Sequence, residues 1–283
     1  MQHILTKKRL GSRNQLLRNR VMDLKEKLNA DMGRHPWELA RLRVVYNLLK
    51  YHMPQIQNTN SFVIDIGCGD IYLVEQLSVK IPKANFIAID TNFCDDTLKF
   101  YRNKFKYYSI QVFNSLEKAF QNIHNKVDLV LLLDVIEHIP DDIYFLKCLQ
   151  NNPYITGNTI FVITVPSFQH LFCSHDIFLR HYRRYNNKLL KNNINKAGLS
   201  TIDMGYYFLS LLPVRLMQVV IERIIKYKTK INKGIGDWKQ NKFRDFIIES
   251  FLFIDFKITF FFHKIGIKLY GLSNYMICKK LVL

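Results

Sequence analysis

Residues 61–90 read SFVIDIGCGDIYLVEQLSVKIPKANFIAID. Phe62–Ile66 is a short apolar run with β-branched members, the mark of a buried strand. Gly67-Cys68-Gly69 follows it with a turn whose glycines let the backbone come close to a ligand. Leu73, Val74 and Leu77 then recur at helical spacing, and Phe86–Ile89 is a second apolar run closed by Asp90. The stretch is a βαβ unit with glycines behind its first strand and an acid behind its second. Such a unit is a nucleotide cradle: the helix N-terminus offers unpaired N–H groups, and the acid can accept bonds from both ribose hydroxyls.

The turn discriminates between nucleotides. A dinucleotide would call for G-x-G-x-x-G, but Gly67-x-Gly69 is followed by Asp70, Ile71 and Tyr72 with no third glycine. Asp65 and Asp70 flank the turn, which suits a cationic ligand better than a diphosphate. In these residues the chain resembles the class I S-adenosylmethionine-dependent methyltransferases, whose first motif is D-x-G-x-G-x-G. Asp65, Gly67 and Gly69 match it, and Ile71 stands where a third glycine is usual. The resemblance continues through RHPWELAR (34–41), LLLDVIEHIPDD (131–142) and ITVPSFQHLFCSHDIFLRHYRRY (163–185). It spans roughly residues 34 to 281. It implies an α/β fold with a doubly wound, seven-stranded, mostly parallel sheet, and S-adenosyl-L-methionine as cofactor. It places that cofactor against Asp65, Gly67, Cys68, Gly69, Asp90, Thr91, Asn114 and Asp134.

Upstream, residues 1–30 read as a basic helical arm with no chemistry. Pro36 suits the first turn of a helix, and Trp37, Leu42, Val45, Leu48 and Leu49 give that helix an apolar face. By the resemblance it lies over the cofactor, with Trp37 on the substrate side; a helix packed on the sheet edge is the plainer reading. Downstream, Tyr107–Phe113 reads as a third strand ending at Asn114, a residue equally suited to a plain turn. Val127–Leu133 is a continuous apolar run, as a strand buried on both faces should be. It leads into Asp134-Val135-Ile136-Glu137-His138. Two readings of that motif stay open. Either Asp134 faces the cofactor while Glu137 and His138 brace the next helix, or Asp134, Glu137, His138 and a later His hold a divalent ion, with Mg the expected form. No metal is assigned. Asn151-Asn152-Pro153-Tyr154 looks like the N/D-P-P-Y motif of amino-methyltransferases but comes a helix too late, and reads as a loop.

Thr159–Val165 is the fifth strand, and the segment after it, through Tyr185, is dense in His, Tyr, Asp and Arg. Ligands of doubly wound sheets bind beyond the carboxyl ends of the strands. His175 and His181 are the candidate catalytic bases, since imidazole titrates near neutral pH. Tyr182, Arg183, Arg184 and Tyr185 are the candidate acceptor contacts; the same pairs could serve only to lock the loop. After a helix at Leu189–Ala197 and a strand at Leu199–Tyr207, two apolar, basic helical segments intervene, Phe208–Lys230 and Phe243–Leu269, with a loop over Asn232–Asn241. They suit a membrane interface, a cap over an apolar substrate or a dimer contact, and plain structural packing is the other reading. A seventh, antiparallel strand closes the sheet. The expected organisation is an arm and cover over 1–60, a core over 61–207, an insertion over 208–270 and a final strand over 271–283.

Charge is unevenly spread. The net +18 divides into 12 Lys/Arg against 4 Asp/Glu over residues 1–60, 9 against 13 over 61–179, and 20 against 6 over 180–283. Basic flanks around an acidic centre fit an anionic partner: a phospholipid surface, a phosphorylated substrate or nucleic acid. Five cysteines without a C-x-x-C read as reduced thiols in a cytoplasmic protein. No stretch reaches 18 uncharged apolar residues, and the N-terminus lacks a signal core. The expected activity is methylation, most simply O-methylation, of a lipid-linked, glycan or amphipathic small molecule, in the cytoplasm or at the inner face of the membrane. An RNA methyltransferase and a non-catalytic nucleotide-binding membrane adaptor are the alternatives; nucleic acid is the less expected partner, and the oligomeric state is not readable.

Overall fold

Five runs form parallel strands, apolar and buried on both faces at the centre of the sheet, while the edge run turns Gln111 outward. They are β1 (Phe62–Ile66), β2 (Asn85–Ile89), β3 (Ile110–Phe113), β4 (Val127–Leu133) and β5 (Ile155–Pro166). A computed structural model of the chain describes these and the rest of residues 34–225 and 241–281. The arm expected over residues 1–30, and all but the last residue of the loop expected over Asn232–Asn241, lie outside the described residues. The sheet is completed by β6 (Leu199–Tyr207) and β7 (Ser273–Lys280), in the order β3-β2-β1-β4-β5-β7-β6. β7 runs antiparallel between β5 and β6. The strand order reverses between β1 and β4, so a crevice opens at their carboxyl ends.

Adjacent strand residues point to opposite faces, and two cores result. Val63, Phe86, Leu129 and Leu131 pack with α1 (Pro36–His52), α2 (Tyr72–Lys80), α3 (Asp95–Lys104) and α9 (Lys242–Lys264). Ile64, Ile87, Val130 and Leu132 pack with α4 (Leu116–Gln121), α5 (Asp142–Gln150) and α7 (Asn187–Lys196). Each fully buried Leu, Ile or Phe contributes roughly 1.5–3 kcal/mol, so the sheet is a rigid base for the loops at its carboxyl edge. Two further helices, α6 (Ser174–Phe178) and α8 (Leu211–Ile225), stand at that edge.

Boundaries differ from the sequence reading where local chemistry overrides apolar pattern. Tyr107 and Tyr108 are 89% and 61% exposed and belong to a turn, closed by Tyr108 N–H donating to Phe105 O at 2.9 Å. β3 begins only at Ile110. β5 starts four residues early, across an irregular register near Val127 that Thr159 Oγ1 bridges at 2.6 Å.

Candidate active site

The cradle is fixed by backbone. Gly67 N–H and Cys68 N–H both donate to Ile89 O, at 2.7 and 3.1 Å, which folds the turn over the end of β2. Gly69 N–H donates to Asp90 Oδ2 at 2.9 Å, and Asn92 N–H to Asp90 Oδ1 at 2.8 Å. Asp90 is thereby aimed along the turn while 7% exposed. Gly67 has φ +75°, and a Cβ there would meet Val135 Cγ2 at 2.7 Å. Gly69 has φ +59°, and its Cβ position meets nothing within 4 Å, because it opens on the cavity. Ile71, where the motif expects glycine, also has a positive φ of 65°. Burial raises the Asp65 carboxyl, the Arg41 charge opposes this and the Asp90 charge adds to it, leaving it at about 7. Thr91 is exposed. Asn114 uses its amide locally, donating to Phe93 O at 3.5 Å and accepting from Lys118 Nζ at 3.3 Å.

Helix α1 covers this turn. Its N-cap is His35, whose Nδ1 accepts from Trp37 N–H at 3.1 Å, and Pro36 follows at the first turn. Arg34 and Arg41, seven residues apart, fall on the same side of this segment. Arg34 pairs with Asp70 behind β1 and lies over the Tyr72 ring at 3.8 Å. Arg41 pairs with Asp134 behind β4. Asp134 sits at φ 57° and also accepts from Thr164 Oγ1 at 3.3 Å. Two arginines thus tie the cover to both lips of the crevice, and Trp37 lines the space beneath.

The segment behind β5 is organised by Asp176, which is fully buried. It receives His181 Nδ1 at 2.8 Å, Arg184 Nε at 2.8 Å and Arg215 Nη2 at 3.2 Å. Burial alone would raise its carboxyl, but the His181 hydrogen bond and the two guanidinium charges hold it far below the usual range. His175 is pushed down to about 4 by burial and then by Arg215, so its imidazole is neutral and weakly basic. His181 faces His138, ring centroids 4.6 Å apart and nearly perpendicular. Glu137 is fully buried beside them; burial and the Asp134 charge raise its carboxyl well above the ordinary value.

These elements enclose a cavity of about 440 Å³. Gly67, Cys68, Gly69, Asp134, Trp37, His175, His181 and Arg184 all line it. Tyr182 does not; it is 57% exposed. Arg183 is engaged by Asp142 at 2.9 Å, and Tyr185 is a core residue whose hydroxyl donates to Asp142 Oδ2 at 2.7 Å. Arg184, though at the wall, is 3% exposed and held by Asp176. Four residues of α8, Leu211, Val214, Arg215 and Gln218, also form the wall and escaped the sequence reading. The available signal was a polar pair, Arg215 and Gln218, one turn apart within LLPVRLMQVV.

By sequence, no protein-family model and no curated protein matches the chain. Solved structures match in fold. Phosphoethanolamine N-methyltransferase 2 of Haemonchus contortus, in complex with phosphomonomethylethanolamine and S-adenosylhomocysteine, is 16% identical with a TM-score of 0.50, over 84% of this chain and 52% of that one. A 1,6-didemethyltoxoflavin-N1-methyltransferase of Burkholderia thailandensis, with its substrate and S-adenosylhomocysteine bound, is 11% identical with a TM-score of 0.50, over 93% and 84%. An S-adenosylmethionine-dependent methyltransferase of Archaeoglobus fulgidus is 16% identical with a TM-score of 0.47, over 84% and 94%.

Proposed function

We propose that this chain, which has the fold of the class I S-adenosylmethionine-dependent methyltransferases, is itself such an enzyme. The observation that carries the reading is the Gly69–Asp90 pair: an open glycine at φ +59° whose N–H orients the acid closing β2. The residues present fit the cofactor. Asp90 would take the ribose hydroxyls, the Gly67–Gly69 backbone the amino-acid end, and Asp134 would stand at the lip towards the acceptor. When bound, the sulfonium supplies an already activated methyl group, so the protein contributes chiefly alignment and exclusion of water. At the acceptor end, His181 is the base best placed to receive a hydroxyl proton, because Asp176 fixes its ring. His175, held neutral, serves better as a wall or hydrogen-bond partner.

The acceptor we infer is amphipathic, lipid-linked or a glycan on a lipid, met at an anionic membrane surface. Helix α8 supports this by its inverted face. Arg215 and Val219 are buried, while Leu216, Met217, Val220, Ile221 and Ile224 are 37–75% exposed. Val214 belongs both to that outward face and to the cavity wall. No described helix is long and apolar enough to cross a membrane, so contact would be lateral.

The test is thermal stabilisation by S-adenosylhomocysteine, with NAD alongside, on wild type and Asp90→Ala. At a concentration 100 times Kd the ligand should add about 2.7 kcal/mol to the wild type, and the shift should vanish in Asp90→Ala. A shift with NAD and none with S-adenosylhomocysteine would refute the reading.

A further inference from the structure

We propose that Glu137, His138 and His181 form a binding site for one divalent transition-metal ion at the acceptor end of the cavity. The turn behind β4 supplies two of these residues and the loop behind α6 the third. Their ligand atoms lie within 4.8 Å of one another, a span that ligands at about 2.0–2.2 Å from one ion can close with small side-chain movements. Tyr182 N–H donates to Glu137 O at 2.8 Å and pins the two segments together.

Glu137 is the observation that asks for a ligand. It is 0% exposed, and neither carboxylate oxygen has a hydrogen-bond partner among the described residues. A buried polar group left unpaired costs several kcal/mol, and buried carboxylates are ordinarily paired or metal-bound. Arg41 does not answer it: its Nη1 is joined to Asp134, and its Nε, itself without a hydrogen-bond partner among the described residues, makes no bond to Glu137. Nor does Arg184, which is joined to Asp176.

His181 shows the complementary feature. Its Nδ1 is held by Asp176 Oδ1 at 2.8 Å, which leaves Nε2 for the cluster. A carboxylate on the far nitrogen of a ligating histidine fixes ring orientation and raises ligand basicity. Asp176 is in turn anchored by Arg184 and Arg215, so the orienting group cannot drift. All three proposed ligands line the cavity, so an ion there would keep open positions for water or an acceptor oxygen. Two imidazoles with one carboxylate favour Mn, Fe, Co or Zn over Mg or Ca. The site stands on these contacts alone, whereas its role rests on the methyltransferase reading: with the ion bound, His181 Nε2 is a ligand and no longer the base, and an acceptor hydroxyl on the ion would release its proton to water more readily.

The experiment uses the full chain, stripped with a chelator and titrated with Co²⁺, read by equilibrium dialysis and by the visible absorption of nitrogen-ligated Co²⁺. One ion per chain should bind. Glu137→Gln and His138→Gln should each weaken binding by more than about 100-fold, and Asp176→Asn by about 10–100-fold. His263→Gln, in another cluster where imidazoles meet a carboxylate, should leave uptake unchanged. Absence of saturable uptake by wild type, or uptake equal to wild type in both Glu137→Gln and His138→Gln, overturns the site. S-adenosylhomocysteine stabilisation, read on the same samples, separates the two claims. Co²⁺ uptake without it leaves the site standing and removes the methyltransferase role, and the reverse result removes the site alone.

Discussion

Ile71 is a β-branched residue at φ 65° and 0% exposed, which sets two effects against each other. The left-handed region costs a residue with a Cβ about 1–2 kcal/mol, while burying the side chain returns roughly 1.5–3 kcal/mol. Packing wins, which is how the chain dispenses with the usual glycine. In a helix interior glycine is worse than alanine by about 1 kcal/mol. At position 71 we expect the difference to disappear: Ile71→Ala and Ile71→Gly should both cost about 2–4 kcal/mol in urea denaturation, with glycine no worse. Glycine falling more than about 1 kcal/mol below alanine would show that the backbone is unstrained. At this scale the sequence was most readable where chemistry forbids a side chain or demands an acid, as at Gly67, Gly69 and Asp90. It was least readable in the loop ending HYRRY. Composition reveals that such a loop is rich in polar groups, but not which way each points. Asp142, a residue with no motif value of its own, takes Arg183 and the Tyr185 hydroxyl out of the cavity wall.

Elements are joined by buried acids that periodicity alone does not single out. Asp255 of α9 accepts from Leu209 N–H at 3.0 Å and Ser210 N–H at 2.7 Å, seating the start of α8. Asp203 of β6 meets His263 Nε2 of α9 at 2.7 Å and lies 3.0 Å from His52 Nε2 of α1, the latter off hydrogen-bond alignment. Burial would raise the Asp203 carboxyl, but the two histidines overcome it and bring it to about 2, from 3.8. A lowered carboxyl stabilises the fold above its unfolded value and loses that contribution as pH falls through its folded value. Asp203→Asn should therefore cost about 2 kcal/mol near neutral pH, with the gap to wild type closing between about pH 4 and pH 2. A gap unchanged down to pH 2 would mean that the cluster acts by packing and not by charge. The helices of the insertion were legible as helices, since their apolar spacing is clear. Their inward faces were not, because α8 buries Arg215 and α9 buries Asp245 and Asp255 while Phe243, Phe251 and Phe261 stay exposed.

Across the whole molecule, charge and apolar exposure favour the same kind of partner. The last 104 residues carry 20 Lys/Arg against 6 Asp/Glu, and the helices with outward apolar faces lie among them. A soluble monomer seldom leaves this much apolar surface exposed without a use for it. Electrostatic attraction to an anionic bilayer adds about 1 kcal/mol per nearby Lys or Arg, and inserted apolar side chains add to it. The chain should then sediment with phosphatidylserine-containing vesicles and much less with neutral ones, and added salt should weaken binding by screening. Met217→Ser with Ile221→Ser, one turn apart on the exposed side of α8, should weaken vesicle binding by about tenfold or more, at ~1.4 kcal/mol per tenfold. S-adenosylhomocysteine stabilisation of the double variant should be unchanged, because neither residue lines the cavity. If wild type ignores anionic vesicles at low salt but is a dimer that the same two substitutions split, the apolar face belongs to a second copy of the chain. The acceptor then need not be tied to a lipid, and the cavity, with Val214 at its wall, opens beside a subunit interface.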